Sequence, residues 1–256
     1  MTGRVFRYDF GVLSHAGCVR RVNEDAYGTR PGDGLFVVAD GMGGHENGQW
    51  ASATIVEHLS KVQVPALFDA AWPLVADALH AANAVIWREA QARGVQTGST
   101  AVVLLLREDR FAILWVGDSR AYLSRGGVLV QLTHDHTQVQ EMLDRGLITA
   151  EDAAGHPMSH VLARAVGVRD TVEVDVVTDT LEADDVFLLC SDGLTARVED
   201  HEIGGILTQH DHDDRPRRLV DLTLDRGAPD NVTVLTVSAQ QPTLRTHHPL
   251  FSAGGL

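Results

Sequence analysis

The order of strand-length and helix-length segments constrains the fold of this chain more than any other feature. Short apolar runs predict strands, and longer segments with apolar residues at helical spacing predict helices. The predicted strands cover residues 6–14, 35–39, 98–106, 110–116, 120–125, 128–132, 172–178, 186–190 and 232–238, and the predicted helices cover 48–62, 70–93, 199–210 and 215–226. Strands and helices do not alternate regularly, so this order favours an antiparallel α+β sandwich over a doubly wound parallel sheet.

The middle of the chain contains a hairpin followed by a less regular insert. Gly126-Gly127 separates two of the predicted strands, and a two-residue glycine loop is typical of a tight antiparallel hairpin. From Thr133 to Val168 the pattern turns helical and less regular, which predicts an inserted subdomain near 137–167. No linker divides the chain, so we expect a single domain over residues 1–240 and a loose C-terminal tail over 241–256.

Composition excludes several classes of protein. The 256 residues carry 35 acidic and 21 basic side chains, a formal net charge of −14, which argues against nonspecific nucleic-acid binding. The two cysteines, Cys18 and Cys190, cannot form a disulfide framework or a zinc site of four thiolates. No apolar run approaches the roughly 18 residues of a membrane-spanning helix, and the first residues lack an apolar signal segment. We therefore expect a cytoplasmic protein without membrane contact, and a monomer by default.

Four aspartates lie next to apolar strands, each beside a glycine or another turn-forming residue. They are Asp40, Asp118, Asp192 and Asp230. A strand end holds a carboxylate on a rigid element, and four carboxylates held together would repel one another unless divalent cations neutralised them. Oxygen ligands favour Mg²⁺ or Mn²⁺ over zinc. From the pattern alone, the alternative that these are ordinary turn aspartates stays equally open.

Residues 17–25 place Arg20 and Arg21 just before the triplet Asn23-Glu24-Asp25. An arginine can bind a phosphate through two parallel hydrogen bonds, and carboxylates a few residues away can hold metal-bound water. This combination suits metal-assisted hydrolysis of a phosphoester. Taken alone, however, the segment is more simply interpreted as an exposed loop whose charges pair with one another.

Other phosphatase and nucleotide-binding chemistries lack their motifs. Six residues, with one glycine among them, separate Cys190 from Arg197, which is the wrong spacing for the phosphate loop of a cysteine phosphatase. Cys190 is therefore interpreted as a small buried apolar residue. The single lysine, Lys61, follows Ser60 and forms no Walker loop. The segment His134-Asp135-His136 could suggest zinc, but no helix motif supports it, and a polar loop is the better interpretation.

Taken together, eight short motifs resemble the bacterial members of the metal-dependent Ser/Thr protein phosphatases of type 2C, the PPM family. The motifs follow the family's order from Gly11 to about Val237 and are Gly-x-Val-Arg-x-x-Asn-Glu-Asp (17–25), Ala-Asp-Gly-Met-Gly-Gly-His-x-x-Gly (39–48), Gly-Ser-Thr (98–100), Gly-Asp-Ser-Arg (117–120), Asp135-His136-Thr137, His156-Pro157 with Ala-Val-Gly (165–167), Ser-Asp-Gly-Leu (191–194) and Pro-Asp-Asn-Val-Thr (229–233). The resemblance implies a four-layer α-β-β-α sandwich of two antiparallel sheets flanked by helices. It places metal ions in the cleft between the sheets, with the flap insert beside them.

The resemblance also implies which residues hold the metal ions. Asp40 would bridge two Mn²⁺ or Mg²⁺ ions, with the Gly41 carbonyl as a further ligand. Asp192 and Asp230 would complete the shell of one ion. Asp118, together with Asp192, matches a third and weaker metal site of bacterial members.

Further roles follow from the same resemblance. Glu24 and Asp25 would contact the ions mostly through bound water, and Arg20 aligns with the phosphate-binding arginine. A metal-bridging hydroxide would attack phosphorus in line, without a phospho-enzyme intermediate. Met42 stands where animal members carry a histidine that is a proposed general acid. His45 is the candidate acid here, and a role in shaping its loop is the equal alternative.

These implications lead to one functional hypothesis and two alternatives. The chain is expected to be a Mn/Mg-dependent serine/threonine protein phosphatase that hydrolyses phosphoserine and phosphothreonine and reverses a cognate bacterial Ser/Thr kinase. One alternative is a noncatalytic pseudophosphatase that binds phosphoproteins or metals, which the complete set of metal-ligand positions disfavours. The other is a partner-switching phosphatase for one small regulatory protein, whose members usually carry an added sensor domain.

Overall fold

The computed structural model describes residues 6–44, 46–153 and 156–241. In chain order, its elements are β1 (Arg7–His15), β2 (Asp25–Arg30), β3 (Leu35–Met42), α1 (Glu46–Ser60), α2 (Phe68–Arg93), β4 (Gly98–Ser99), β5 (Ala101–Arg107), β6 (Arg110–Val116), β7 (Arg120–Arg125), β8 (Val128–Gln131), α3 (Gln138–Asp144), α4 (Ala150–Ala153), β9 (Asp175–Thr180), β10 (Val186–Cys190), α5 (Asp192–Thr195), α6 (Asp200–Gln209), α7 (Arg215–Asp225) and β11 (Val232–Gln240). A single 3-10 turn, Pro31–Asp33, leads into β3.

The strands form two sheets. One sheet has the order β1-β11-β10-β7-β8, and the other has the order β2-β3-β5-β6-β9, with the short β4 paired to β3. Neighbouring strands run antiparallel throughout both sheets. The hairpin at Gly126-Gly127 joins β7 to β8, as predicted, with Arg125 paired to Val128.

Strand β3 explains how the layers stack. Leu35, Val37 and Ala39 pack with residues of α1 and α2, whereas Phe36 and Val38 pack with residues of the other sheet. Successive side chains of a strand point to opposite faces, and both faces are covered here, which is why this run is continuously apolar in the sequence. On the far side, β10 and β11 pack against α6 and α7. The layers are therefore helix, sheet, sheet and helix, and the predicted α+β sandwich is confirmed.

Some predicted elements have different bounds in the structure. Strand β2 is missing from the sequence prediction because its residues, DAYGTR, show no apolar alternation; pairing to β3 at the edge of the sheet holds it in place. Strand β3 continues past Ala39 to Met42, where it pairs with β4. The last strand of its sheet begins at Asp175 rather than at residue 172.

The predicted insert contains α3 and α4, and its two ends are joined where Thr137 forms a backbone bridge to Leu162. Of the predicted tail, residues 242–256 lie outside the described residues. Within the ranges that the structure describes, none of the helices combines the length and the apolar character needed to cross a membrane.

Candidate active site

A pocket at one end of the sandwich collects the predicted acidic residues from distant parts of the chain. Its lining includes the side chains or backbone of Arg20, Glu24, Asp40, Gly41, Asp118, Asp192 and Asp230. Both sheets contribute, because Asp40 belongs to β3 whereas Asp192 and Asp230 flank β10 and β11. Asp25 is buried beside this pocket, with 8% of its surface exposed. The structure therefore brings together the segments that the motifs singled out.

The alternation of β3 directs Asp40 into the cleft. Phe36 and Val38 face the opposite sheet, and Asp40 follows them at the same period of two. Its backbone is fixed by Thr100, whose hydroxyl accepts the Asp40 N–H at 3.0 Å and whose N–H donates to the Asp40 carbonyl at 2.8 Å. Asp25 is its cross-strand partner in the β2–β3 pair. Two acidic residues directly opposite each other in a sheet repel, so this pairing requires compensating positive charge.

Asp25 ties the two sheets together through one of its two oxygens. Ser191 and Thr233, at the ends of β10 and β11, donate their hydroxyls to Oδ2 of Asp25 at 2.8 and 2.7 Å. The other oxygen, Oδ1, is buried and has no hydrogen-bond partner among the described residues. A buried carboxylate oxygen without a donor is costly, and a cation or a bound water would relieve that cost.

Asp118 enters the pocket from the loop after β6. The preceding Gly117 has φ of +105°, a left-handed conformation, and a Cβ there would lie 2.6 Å from Cγ2 of Thr100. Only glycine fits both requirements without strain. Asp118 itself is buried, with 8% of its surface exposed.

Glu24 is positioned by backbone contacts with the neighbouring loops. Its N–H donates to Oδ1 of Asn231 at 2.7 Å, and its carbonyl accepts the Gly41 N–H at 3.1 Å and the Ser52 hydroxyl at 2.6 Å. The approach to α1 is close, since a Cβ added to Gly48 would lie 1.9 Å from Oε2 of Glu24. Gly48 therefore makes room for the Glu24 side chain.

Arg20 lies on the rim of the pocket. Its side chain is 56% exposed, and its Nη2 donates to Oδ2 of Asp230 at 2.7 Å. The pairing expected of a self-paired loop is therefore present, but the partner of Arg20 is a carboxylate of the pocket.

Burial and mutual repulsion raise the pKa values of three pocket carboxyls. Burial raises the pKa of Asp25 to about 7, and the charges of Asp192 and Asp230 add to this. Burial also raises the pKa of Asp40 well above its ordinary range, with Asp25 as the largest charged contributor. For Asp118, burial and the charge of Asp192 raise the pKa to about 7. Such shifts mark carboxylates that lack enough positive charge around them.

The donor set suits a hard divalent cation. The side chains around the pocket offer carboxylate oxygens, as Mg²⁺ and Mn²⁺ prefer, and the orphaned Oδ1 of Asp25 adds an unused one. Over the described part of the chain, no three His, Cys, Asp or Glu side chains stand together in an arrangement that could hold a metal ion as it is. The carboxylates surround the pocket, with Asp230 engaged by Arg20 and Asp25 engaged by Ser191 and Thr233.

The flap contributes residues that the sequence did not predict as part of the site. Ser159, His160 and Leu162 line the pocket, and Nδ1 of His160 lies 3.7 Å from Oδ2 of Asp192. His160 is 73% exposed and yet lies at the pocket. The His156-Pro157 motif just before it was the available signal. His45, the predicted general acid, lies outside the described residues, and Met42 lines the pocket.

Two other sequence interpretations are confirmed. Cys190 is fully buried, and burial raises the pKa of its thiol to about 12, which suits an apolar role and not a nucleophile. The segment His134-Asp135-His136 is a polar loop in which Asp135 accepts hydrogen bonds from Nε and Nη2 of Arg120. His136, however, is buried rather than exposed.

Comparison with known proteins places this fold and pocket in one family. The sequence profile described as protein phosphatase 2C matches residues 12–142. The serine/threonine phosphatase stp of Listeria monocytogenes is 36% identical over 233 residues, which cover 86% of this chain and 92% of that protein. The chain belongs to the protein phosphatase 2C family.

Solved structures agree with this assignment. PppA of Pseudomonas aeruginosa, described as a key regulatory component of T6SS, is 40% identical, with a TM-score of 0.85 over 93% of this chain and all of that one. The catalytic domain of the serine/threonine protein phosphatase PstP, solved in complex with two manganese ions, is 32% identical, with a TM-score of 0.81 over 92% of this chain and all of that one.

Proposed function

We propose that this chain hydrolyses phosphoserine and phosphothreonine in proteins and depends on Mn²⁺ or Mg²⁺ to do so. The observation that carries the proposal is the set of pocket carboxyls with raised pKa values, one of which keeps a buried oxygen without a partner. Family membership and the names of the relatives, serine/threonine phosphatases, support the reaction and substrate class.

The proposed metal ligands are the carboxylates that surround the pocket. Asp40, with the Gly41 carbonyl, would be shared by two ions, and Asp192 and Asp230 would complete the shell of one of them. Asp118 would join Asp192 at a third site. The manganese complex of PstP supports the choice of metal. When bound, divalent ions would polarise the phosphate and lower the pKa of a water that attacks phosphorus.

Glu24, in the loop before β2, and Asp25, the first residue of β2, are proposed to contact the metal ions indirectly. Glu24 and Asp25 would hold water molecules of the metal shells instead of binding the ions directly. Asp25 is suited to this role because its Oδ2 already accepts two hydroxyl hydrogen bonds while Oδ1 is free of them. The hydroxyls of Ser191 and Thr233 keep that free oxygen in a fixed orientation.

Arg20 is proposed to hold the substrate phosphate. Its guanidinium stands at the rim, 56% exposed, with Nη2 donating to Asp230, and a guanidinium has further donors that could form parallel hydrogen bonds to phosphate oxygens. With divalent ions bound to the carboxylates below, an arginine on the rim would hold a dianionic phosphate with its phosphorus towards the ions. This position also favours a phosphorylated side chain that projects from a polypeptide over a free inorganic anion held deep inside.

The catalytic unit that we propose is one domain over residues 1–240, with the flap at about 137–167. Its substrates would be phosphorylated proteins made by a cognate Ser/Thr kinase. Phosphoproteomics of a deletion strain would test this, because phosphoserine and phosphothreonine sites of that kinase should accumulate. No observation favours the pseudophosphatase alternative, since each carboxylate that the family motif requires is present.

The decisive experiment compares hydrolysis of p-nitrophenyl phosphate and of a phosphothreonine peptide with Mn²⁺ present. Asp40→Asn and Asp192→Asn should lower kcat/KM by about 100-fold or more. Bound ions stabilise the charge of the transition state and so lower its free energy by several kcal/mol. Asp221→Asn, an exposed position on α7, is the matched control and should behave as wild type. Inactive wild-type protein, or full activity of both pocket variants, would contradict the proposal.

A further inference from the structure

The buried histidine of the polar loop, His136, connects two parts of the pocket that the proposed function uses separately. On one side, its ring Nδ1 accepts the backbone N–H of Gly117 at 3.1 Å, and the backbone N–H of His136 donates to the Gly117 carbonyl at 3.0 Å. Gly117 immediately precedes Asp118. One residue therefore fixes both backbone polar groups of the glycine that holds a pocket carboxylate in place.

On the other side, the same residue fixes the base of the flap. The His136 carbonyl accepts the N–H of Ala163 at 2.8 Å, and the next residue, Thr137, forms the backbone bridge to Leu162. Leu162 lines the pocket. The segments that enter and leave the flap are thus hydrogen-bonded to each other at His136 and Thr137, directly beside the loop that carries Asp118.

The imidazole extends this link through side chains. Because Gly117 donates to Nδ1, the proton of the neutral ring is on Nε2, which faces Oδ2 of Asp175 at 3.3 Å. Asp175 in turn accepts from Nη1 of Arg164, at the end of the flap, at 2.5 Å. The Trp115 ring stacks on the imidazole at 6.0 Å between centroids, and only 7% of His136 is exposed. The ring is therefore held on every side.

We propose that His136 is a positioning residue that makes the Asp118 loop and the flap move as one unit. The backbone contacts of residue 136 are available to any amino acid, but only a side chain with an acceptor at the Nδ1 position can satisfy the Gly117 N–H. Loss of that acceptor leaves a buried N–H without a partner, and the loop shifts to find one. The shift reaches the flap through Asp175 and Arg164.

The test uses two substitutions that separate the nitrogens of the ring. His136→Asn keeps an acceptor near the Nδ1 position, whereas His136→Gln places its amide near the Nε2 position and leaves the Gly117 N–H without an acceptor. His201→Gln is the matched control, because His201 is an exposed histidine of α6, outside the polar loop and the flap. Thermal melting confirms that each variant is folded.

The direct readout is hydrogen–deuterium exchange. In His136→Gln, amides of residues 117–119 and of the flap, residues 138–163, should exchange at least about tenfold faster together, since one buried hydrogen bond corresponds to about a tenfold change in an opening equilibrium. His136→Asn keeps an acceptor for the Gly117 N–H but loses the bond to Asp175, so residues 117–119 should stay within about twofold of wild type.

The second readout, which rests on the proposed function, is the division between KM and kcat. His136→Gln should raise KM for a phosphothreonine peptide about tenfold and change kcat much less, because the flap wall moves while Asp40 and Asp192 do not. An inactive wild-type protein would defeat the proposed function alone, since exchange still tests the link. Equal exchange rates of His136→Asn and His136→Gln at residues 117–119 would overturn the inference. Faster exchange in only one of the two segments of His136→Gln would overturn it as well.

Discussion

At the scale of single residues, the pocket holds buried carboxyl groups at a cost in stability. Asp118 is buried, and its pKa is raised to about 7. Between a pH of about 4, where an unfolded aspartate loses its proton, and about 7, the folded carboxyl still holds its proton. The folded state then binds more protons than the unfolded one, so the free energy of unfolding falls as the pH rises through this window.

This sign gives a measurable pH dependence in protein treated with a chelator. We expect Asp118→Asn to raise Tm above that of wild type at pH 8, because the amide removes a buried negative charge. At pH 5 the advantage should shrink, since wild type is then protonated. Scanning calorimetry at both pH values measures the difference, with Asp221→Asn as the surface control. If Asp118→Asn instead lowered Tm, and did so more at pH 8 than at pH 5, the result would contradict a raised pKa of Asp118.

A second prediction at this scale concerns the space that Gly48 leaves for Glu24. A Cβ at Gly48 would lie 1.9 Å from Oε2 of Glu24, so Gly48→Ala must displace that carboxylate. We expect phosphatase activity to fall about tenfold or more, while the stability of α1 changes by less than about 1 kcal/mol because alanine favours the helix.

Gly205→Ala on α6 is the matched control, since nothing lies within 4 Å of a Cβ added there. It should leave activity unchanged and stabilise the protein by about 0.5–1 kcal/mol. If Gly48→Ala kept wild-type activity, this result would contradict the proposed role of Glu24 in the site.

At the scale of elements, the cleft exists because the two sheets pack face to face. Phe187 of β10 is fully buried in that layer and meets Phe111 of β6 edge to face, with 4.9 Å between ring centroids. We predict that Phe187→Ala lowers the free energy of unfolding by about 3–5 kcal/mol, the range for a buried phenylalanine. Urea denaturation measures it. Val128→Ala, which is exposed on β8, should change stability by less than about 0.5 kcal/mol, and a similar loss there would contradict the assigned layers.

The sequence predicted best those elements whose environment follows from local pattern. Strands buried on both faces, such as β5, β6 and β10, appear as apolar runs, and three strands have the predicted bounds. Strand β2 could not be found this way, because an edge strand with polar residues is specified by its partner β3 rather than by its own period.

The same distinction holds for the candidate site. The aspartates beside apolar runs could be predicted from those runs, although Asp40 lies inside β3 and Asp230 precedes β11. The hydroxyls that hold Asp25 come from Ser191 and Thr233, which are 166 and 208 residues away in sequence, and no local pattern indicates that pairing. The burial of His136 escaped prediction for the same reason, since its partners Gly117 and Asp175 belong to other strand ends.

At the scale of the whole molecule, the acidic pocket accounts for part of the net charge of −14. Glu24, Asp25, Asp40, Asp118, Asp192 and Asp230 converge there, and Arg20 pairs with Asp230. Divalent ions that bind only the folded state stabilise it by mass action. Mn²⁺ at 100 times its dissociation constant should therefore raise the free energy of unfolding by about 2.7 kcal/mol per site, measured by urea denaturation. Unchanged stability on adding Mn²⁺ would count against a folded-state site.

The central claim is that carboxylates from both sheets jointly bind divalent cations, and calorimetric titration with Mn²⁺ tests it most directly. Wild-type protein should bind at least two ions. Asp40→Asn should lose both, because its carboxylate is proposed to be shared between them, while Asp221→Asn should bind as wild type does. Absence of binding to folded wild-type protein, or wild-type binding by Asp40→Asn, would contradict the account.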